Sequence, residues 1–376
     1  MKIIKIIVSV LFIGAMCVNV FSTIYSQKVK YFSHNYWQRF PDLTKMYFNS
    51  QYATKHPLWI PDEAAFSYAG GALIQGTNPV LVIPDAPPLG KYIIGVSTVL
   101  FDNEYILTAF FGIFSLFLLY LLSFQIFNDK FLALIPSLLF SFEPIFKNQF
   151  IFTPLFDFFQ LVFLLSYFLL FNHAYKVKKT SLVFFFIANI LLGCFIATKF
   201  FGSGLTIVLA SVIFGFFQKN KNKLLQYFLT VPFSVIILLL SYIRVFAFGY
   251  TFNRFLGIQK WVFLYHQGQL ILPFSVWPLL FFNQWHVWFG NKPVIADTQW
   301  SITWPLITII SFLTIILYLF NKIPKIKNVE ILMIWILCYL AFFSIGQIFS
   351  RYFLILIPCL YIVSLYGIVQ IIKKYR

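Results

Sequence analysis

The chain has 376 residues, of which 60% are hydrophobic, 22% aromatic and only 10% charged. No soluble globular domain needs that balance, so the composition excludes an ordinary cytosolic enzyme and implies an integral membrane protein. Lys and Arg outnumber Asp and Glu by 28 to 11, for a net charge of +17, an excess that belongs to a nucleic-acid partner or to membrane topology.

The apolar runs are continuous rather than alternating, which selects helices over a barrel. In chain order they predict about ten spans, at 4–24, 105–127, 131–146, 151–171, 181–198, 200–217, 224–248, 302–320, 329–349 and 352–372. The expected fold is an all-α polytopic transmembrane bundle. Positive charge in short loops favours the cytoplasm. Placing Lys2 and Lys5 there also places Lys176, Lys178 and Lys179, then Lys219, Lys221 and Lys223, then Lys322, Lys325 and Lys327, and finally Lys373, Lys374 and Arg376. Both termini are then cytoplasmic in a cell membrane. The positive charge is explained as topology facing an anionic leaflet, without nucleic acid, since no cytoplasmic loop is long enough to fold into a nucleic-acid platform. The first run is read as a retained span rather than a cleaved signal peptide. Cys17, Cys194, Cys338 and Cys359 all fall within spans and lack any CxxC or Cys/His spacing, so they read as packing residues.

Two outer segments remain, 25–104 and 249–301, each with room for short interfacial helices. They divide the chain into an N-terminal membrane core (1–248, including the first segment) and a C-terminal region (249–376, with the second segment and the last three spans). These segments hold Asp42, Asp62, Glu63, Asp85, Asp102, Glu104 and Asp297, while Glu143 and Asp157 sit near the outer ends of their spans. Carboxylate chemistry is therefore expected on the outer face.

Within the first segment, Asp62 and Glu63 follow Pro61, a good helix starter. One reading makes them favourable charges at a helix N-terminus; the other makes them catalytic. The second element is DAPPLGK, Asp85 to Lys91, whose paired prolines fix a turn ahead of an amphipathic run along the membrane surface. Asp85 either contacts a ligand or caps that turn.

These residues resemble the polytopic glycosyltransferases that use a polyprenyl-phosphate sugar donor, and most closely the protein O-mannosyltransferases. That family opens its first outer loop with an Asp-Glu pair and continues with His-Pro-Pro-Leu-Gly-Lys. Asp62, Glu63 and Pro87 to Lys91 match, whereas Ala86 stands where the family often has His. Glu143, Gln149, Leu155 and Asp157 resemble its acidic-to-Gln-to-Leu-Asp stretch, without the Arg often found there. Thr198, Lys199, Phe200 and Gly202 resemble its Lys-aromatic-x-Gly element. Gln259, His266 and Ser275 to Phe281 resemble its His and Trp-Pro segment, and Arg351, Tyr352 and Pro358 its stretch before the last span.

The chemistry implied is transfer of a sugar, mannose by the resemblance, from a lipid phosphate to an acceptor hydroxyl of a protein or glycan. The phosphate leaves as an anion, so one base suffices for an inverting displacement, and cations must stabilise the departing charge. Asp62 is expected as base, with Glu63 positioning the acceptor. Arg351 is expected to hold the phosphate, Lys91 and Lys199 to assist, and Asp85, Asp157 and His266 to complete the donor site. Structural alternatives stand beside these roles. Asp157 pairs with Lys147 or Lys199 as a bridge, His266 is an interface residue, and Arg244 is a snorkelling anchor. The sequence leaves metal dependence open: Asp62 and Glu63 could ligate a divalent ion, but six-fold coordination would need further oxygen ligands not evident in the sequence. Two rivals remain: transfer of another sugar to a lipid or glycan, as in the lipid A aminoarabinose transferases, and a transporter or lipid flippase. No internal repeat favours the transporter.

Overall fold

The structure is a computed structural model that describes residues 2–52, 60–199, 202–268, 272–287, 293–346 and 348–374. Nineteen helices follow one another among these residues. They are α1 (Lys2–Ser26), α2 (Lys28–Tyr31), α3 (Tyr36–Tyr52), α4 (Asp62–Ile74), α5 (Pro88–Phe101), α6 (Ile106–Phe127) and α7 (Lys130–Phe142). Then come α8 (Pro144–Ile151), α9 (Asp157–Lys176), α10 (Ser181–Thr198), α11 (Gly202–Phe217), α12 (Lys221–Thr230) and α13 (Pro232–Ser241). The last are α14 (Ile243–Ala247), α15 (Phe252–Gly268), α16 (Val276–Phe282), α17 (Thr303–Leu319), α18 (Lys327–Ser344) and α19 (Ile357–Lys374). Two-residue strands β1 (Trp285–His286) and β2 (Val294–Ile295) pair antiparallel.

Seven helical stretches among the described residues are long and apolar enough to cross a membrane: α1, α6, α9, α10, α12 with α13, α18 and α19. The shorter apolar helices α7, α11 and α17 fall on the three other predicted spans. The bundle is thus the expected all-α polytopic one, and its side chains are distributed as a bilayer demands. On α6, Phe110, Ile113 and Phe117 face outward while Thr108, Ser115 and Ser123 are buried. Outward apolar residues also recur on α11 at Leu205, Leu209 and Phe216, and on α17 at Ile309, Leu313 and Ile316. Lipid tails are as apolar as leucine, so small and hydroxylated residues pack between helices while large ones face out.

Several predicted edges move, for local reasons. The span expected at 151–171 starts only at Asp157, because Pro154 has no N–H to continue a helix from α8. The span expected at 131–146 breaks at Glu143, where Pro144 opens α8.

One end of the bundle is tied by polar contacts between helix termini. Lys5 pairs with Asp129 at 2.9 Å. Asn328 donates to the Gln125 carbonyl, and its own carbonyl accepts from Asn172. Gln218 and Tyr318 both donate to Glu330. Lys223 donates to the carbonyls of Ala174, Tyr175 and Val177 just at and beyond the C-terminus of α9. The opposite end carries Glu143, a buried carboxylate that accepts from Thr303, Trp304 and Tyr361 and so knots the α7–α8 junction to α17 and α19. The side chains expected to form the site, Asp62, Asp157, Lys199 and Arg351, lie at this second end.

There, α4 and α5 cross so closely that neither Gly70 nor Gly95 has room for a Cβ. A Cβ on Gly95 would lie 2.6 Å from the Gly70 carbonyl oxygen, and one on Gly70 would lie 3.0 Å from the Gly95 nitrogen. The second end is reinforced by Glu104, fully buried, which accepts from Arg39 on α3 and Ser67 on α4 at 3.0 Å. Arg244, expected as a snorkelling anchor, instead donates to the Leu73 carbonyl in the last turn of α4. Carbonyls in a helix's last turn have no intrahelical partner, and a cation there also meets the negative end of the dipole.

Candidate active site

Asp62 and Glu63 form the first turn of α4, which begins directly after Pro61. Asp157 opens α9. All three carboxylates therefore sit where a helix dipole favours negative charge. Lys199 is the residue that ends α10, and Arg351 lies in a 3-10 turn, Ser350–Leu354, shortly before α19. Three contacts hold that turn in place. Ser350 donates to Asp297 at 2.6 Å, Tyr339 donates to the Tyr352 carbonyl at 2.8 Å, and Trp285 donates to the Ile348 carbonyl at 3.0 Å.

Two ion pairs result. Arg351 Nη1 lies 2.6 Å from Asp62 Oδ2, and Lys199 Nζ lies 2.6 Å from Asp157 Oδ1. Lys199 also sits 4.5 Å from the ring centroid of Tyr352, a cation–π distance. Asp157 thus takes Lys199 as its partner, not Lys147. Asp85, Asp157, Lys199 and Arg351 line one cavity of about 370 Å³, together with aromatic residues that include Phe66, Phe156, Tyr339 and Tyr352. Asp62 reaches this cavity through Arg351 and is itself half-exposed.

Electrostatics follow from burial and pairing. Burial opposes the Arg351 charge, but the Asp62 and Asp157 carboxylates outweigh it, so its pKa is raised and the guanidinium is held charged. Burial pushes the Lys199 ammonium down to about 8 against the pull of Asp157, and Arg351 adds to the decrease. The cavity therefore holds two cations, each with one carboxylate partner.

The loop bearing Asp85 has its own support, and here the sequence expectation for Lys91 is corrected. Lys91 is fully buried and its ammonium donates to the carbonyls of Val82, Ile83 and Ala86 at 2.9, 2.9 and 2.8 Å. An ammonium has three protons, and all three are committed. Lys91 therefore shapes the loop that presents Asp85 and Ala86 to the cavity and has no donor left for a phosphate. Gly90 of the same motif is required by packing, since a Cβ there would lie 2.6 Å from the Phe156 ring. Phe156 in turn stacks on Phe66 with centroids 4.0 Å apart, joining α4, the Asp85 loop and the start of α9.

Glu63 is half-buried beside Asp62 and does not line the cavity. His266 falls on α15, but its side chain lies outside the described residues; α15 reaches the cavity through Phe263. Among the described residues, no group of three or more His, Cys, Asp or Glu side chains is placed to hold a metal ion. Gln160, one turn after Asp157 on α9, lines the cavity and was missed in the sequence, where only its i, i+3 spacing from Asp157 signals a shared helix face.

Solved structures with the same arrangement of helices exist. ArnT from Cupriavidus metallidurans bound to undecaprenyl phosphate superposes with a TM-score of 0.63 at 15% identity, over 96% of this chain and 60% of that one. The chain shares its fold, a polytopic bundle of membrane helices, with ArnT. ArnT in the apo state gives a TM-score of 0.56 at 14% identity, over 88% of this chain and 59% of that one. The archaeal oligosaccharyltransferase AglB from Archaeoglobus fulgidus, in complex with an inhibitory peptide and a dolichol-phosphate, gives 0.50 at 15% identity, over 97% and 50%. The chain thus spans about 60% of the length of ArnT and half that of AglB. No protein-family profile matches the sequence. No curated protein sequence matches it either.

Proposed function

We propose that this protein is a membrane glycosyltransferase that moves a sugar, mannose in the first instance, from a polyprenyl-phosphate donor to an acceptor hydroxyl. The observation that carries the proposal is the 2.6 Å contact between Asp62 and Arg351, residues 289 positions apart, at the edge of a cavity that also holds Lys199. A carboxylate and two cations thereby meet in one place, which supports the reading of a base beside a phosphate site. Two of the similar solved structures carry undecaprenyl phosphate or dolichol-phosphate, which supports a lipid phosphate as the ligand.

In the proposed reaction, the donor phosphate takes Arg351 and Lys199 as partners, and Asp62 is released from its guanidinium contact. Asp62 then accepts the proton of the acceptor hydroxyl as that oxygen bonds to the anomeric carbon. The bond from that carbon to the phosphate oxygen breaks, and its electron pair stays on the phosphate, where the two cations neutralise it. Attack from the face opposite the leaving phosphate inverts the anomeric centre. Asp157 holds Lys199 in place, and Asp85 faces the sugar. The site end of the bundle is extracytoplasmic in this proposal, and the lysine-rich end is cytoplasmic.

A protein Ser/Thr hydroxyl is the first acceptor to test. A lipid or glycan acceptor is favoured by a different observation: between α15 and α17, the described residues form only α16 and two two-residue strands, with no folded module to grip a peptide. The decisive experiment measures transfer of radiolabelled mannose from polyprenyl-phosphate-mannose in reconstituted membranes, with peptide, lipid and glycan acceptors in parallel. Asp62→Asn is expected to lose at least about 100-fold in rate while still binding the lipid phosphate. Full activity of that variant overturns the assignment of the base, and sugar-independent flux across sealed vesicles would favour a transporter.

A further inference from the structure

We propose that Gln160 is a donor-binding residue whose side-chain N–H, together with Nε–H of Arg351, receives oxygens of the lipid phosphate. This inference rests on the function proposed above and adds a residue to it.

Three buried side-chain nitrogens lack a hydrogen-bond acceptor among the described residues: Nε2 of Gln160, Nε of Arg351 and Nε2 of Gln259. Two of these three belong to residues that line the same cavity. Gln160 is only 4% exposed. Buried polar groups in folded proteins are nearly always partnered by protein, water or a ligand; of the twelve buried side-chain atoms without a partner among the described residues, those of Gln160 and Arg351 are the ones on the cavity wall. Helix geometry places Gln160 beside Asp157, one turn along α9. The terminal torsion of a glutamine is broad, so its amide turns toward the cavity without leaving a favoured rotamer.

The chemistry of the surrounding wall selects the ligand class. The unpartnered groups are donors, whereas the carboxylates Asp62 and Asp157 are engaged by Arg351 and Lys199. A group that brings many acceptors and few donors fits this wall. A phosphate joined to a lipid meets that description, since its non-bridging oxygens accept in several directions at once. A neutral hydroxyl fits less well, because each one brings a proton that needs an acceptor. Asp62 is the partner displaced from Arg351 when the phosphate arrives, and Gln160 supplies a neutral donor that no carboxylate has to release.

The test uses the full chain in lipid nanodiscs, with undecaprenyl phosphate as probe and undecaprenol as its phosphate-free control. Gln160→Met keeps the length of the side chain and removes the amide; Gln160→Glu keeps its shape and removes the N–H donors. Both are expected to bind undecaprenyl phosphate about 10-fold or more weakly than wild type, with undecaprenol binding unchanged. Gln160→Met is also expected to unfold at a temperature equal to or above that of the ligand-free wild type, because it removes an unpartnered buried donor and no hydrogen bond. A residue that only packs the bundle would behave oppositely, losing stability without discriminating between the two probes. Wild-type affinity of both variants for undecaprenyl phosphate overturns the assignment of Gln160 and leaves the proposed function standing. If wild type itself binds undecaprenyl phosphate no better than undecaprenol, the proposed function fails and this inference fails with it.

Discussion

Replacing Lys91 by Met tests whether the Pro-Pro-Leu-Gly-Lys element is a binding motif or a structural clamp. The side chains match in length, but the substitution removes a donor from three carbonyls at once, those of Val82, Ile83 and Ala86. A buried acceptor left without a partner costs roughly 1–3 kcal/mol, and the Ile83 carbonyl keeps the Ala86 N–H, so the ceiling for the other two is about 6 kcal/mol. The actual loss is smaller. Ala86 borders the cavity and Ile83 is only half-buried, so their carbonyls can turn to water, whereas Val82 is 2% exposed and stays stranded. Removing the ammonium also removes the cost of burying a charge, the same cost that lowers the Lys91 pKa to about 7. The expected net loss is about 3 kcal/mol, read as a shift in the denaturant midpoint in mixed micelles. The same variant is expected to raise the donor KM, because Asp85 lies in the released loop. Lys91→Arg should restore less than half of the loss, since a planar fork cannot converge on three carbonyls arranged for an ammonium. A loss below about 1 kcal/mol with an unchanged donor KM would refute the clamp.

Glu143→Gln is expected to destabilise the bundle by about 2 kcal/mol, because one amide oxygen replaces a carboxylate that accepts from Thr303, Trp304 and Tyr361; the same micelle titration measures it. Gly95→Ala drives a Cβ to 2.6 Å from the Gly70 carbonyl, so α4 and α5 must separate, at a cost of about 1–3 kcal/mol and a displaced Asp62. Transfer rate should fall more than donor affinity in that variant, a split resolved by separate kcat and KM. Lys199 predicts a pH dependence. A lysine is cationic below its pKa, and this one lies at about 8. Undecaprenyl phosphate affinity should be full below about pH 7 and decline as pH rises through the Lys199 value. Lys199→Arg, which stays charged, should flatten that decline.

The spans were legible because membrane crossing is a local property, readable from any apolar run of sufficient length. Their edges were less so, because they depend on single residues: Pro144 opens a new helix, and Pro154 delays α9 to Asp157. The order of the acidic pair, the Pro-Pro turn and Arg351 pointed to one site, and a 2.6 Å contact across 289 residues brings two of its members together. Residue type could not say where a side chain's protons go. Lys91 is expected to assist at the phosphate and Arg244 to snorkel to the interface, yet each donates to backbone carbonyls inside the fold. Gln160 carried no charge and belonged to no quoted motif, so only its place on the cavity wall drew attention to it.

Lys223 repeats, at the other end of the bundle, the arrangement found at Lys91: one ammonium gathers three carbonyls, here at and beyond the last turn of α9. A basic residue counted as a topology signal is thus also a tertiary fastener. Charge-swap experiments that map orientation by deleting loop lysines would, at this position, loosen α9 as well as weaken the signal. Lys219, just before α12, and Lys221, which opens it, are the sites at which orientation can be probed without that confusion.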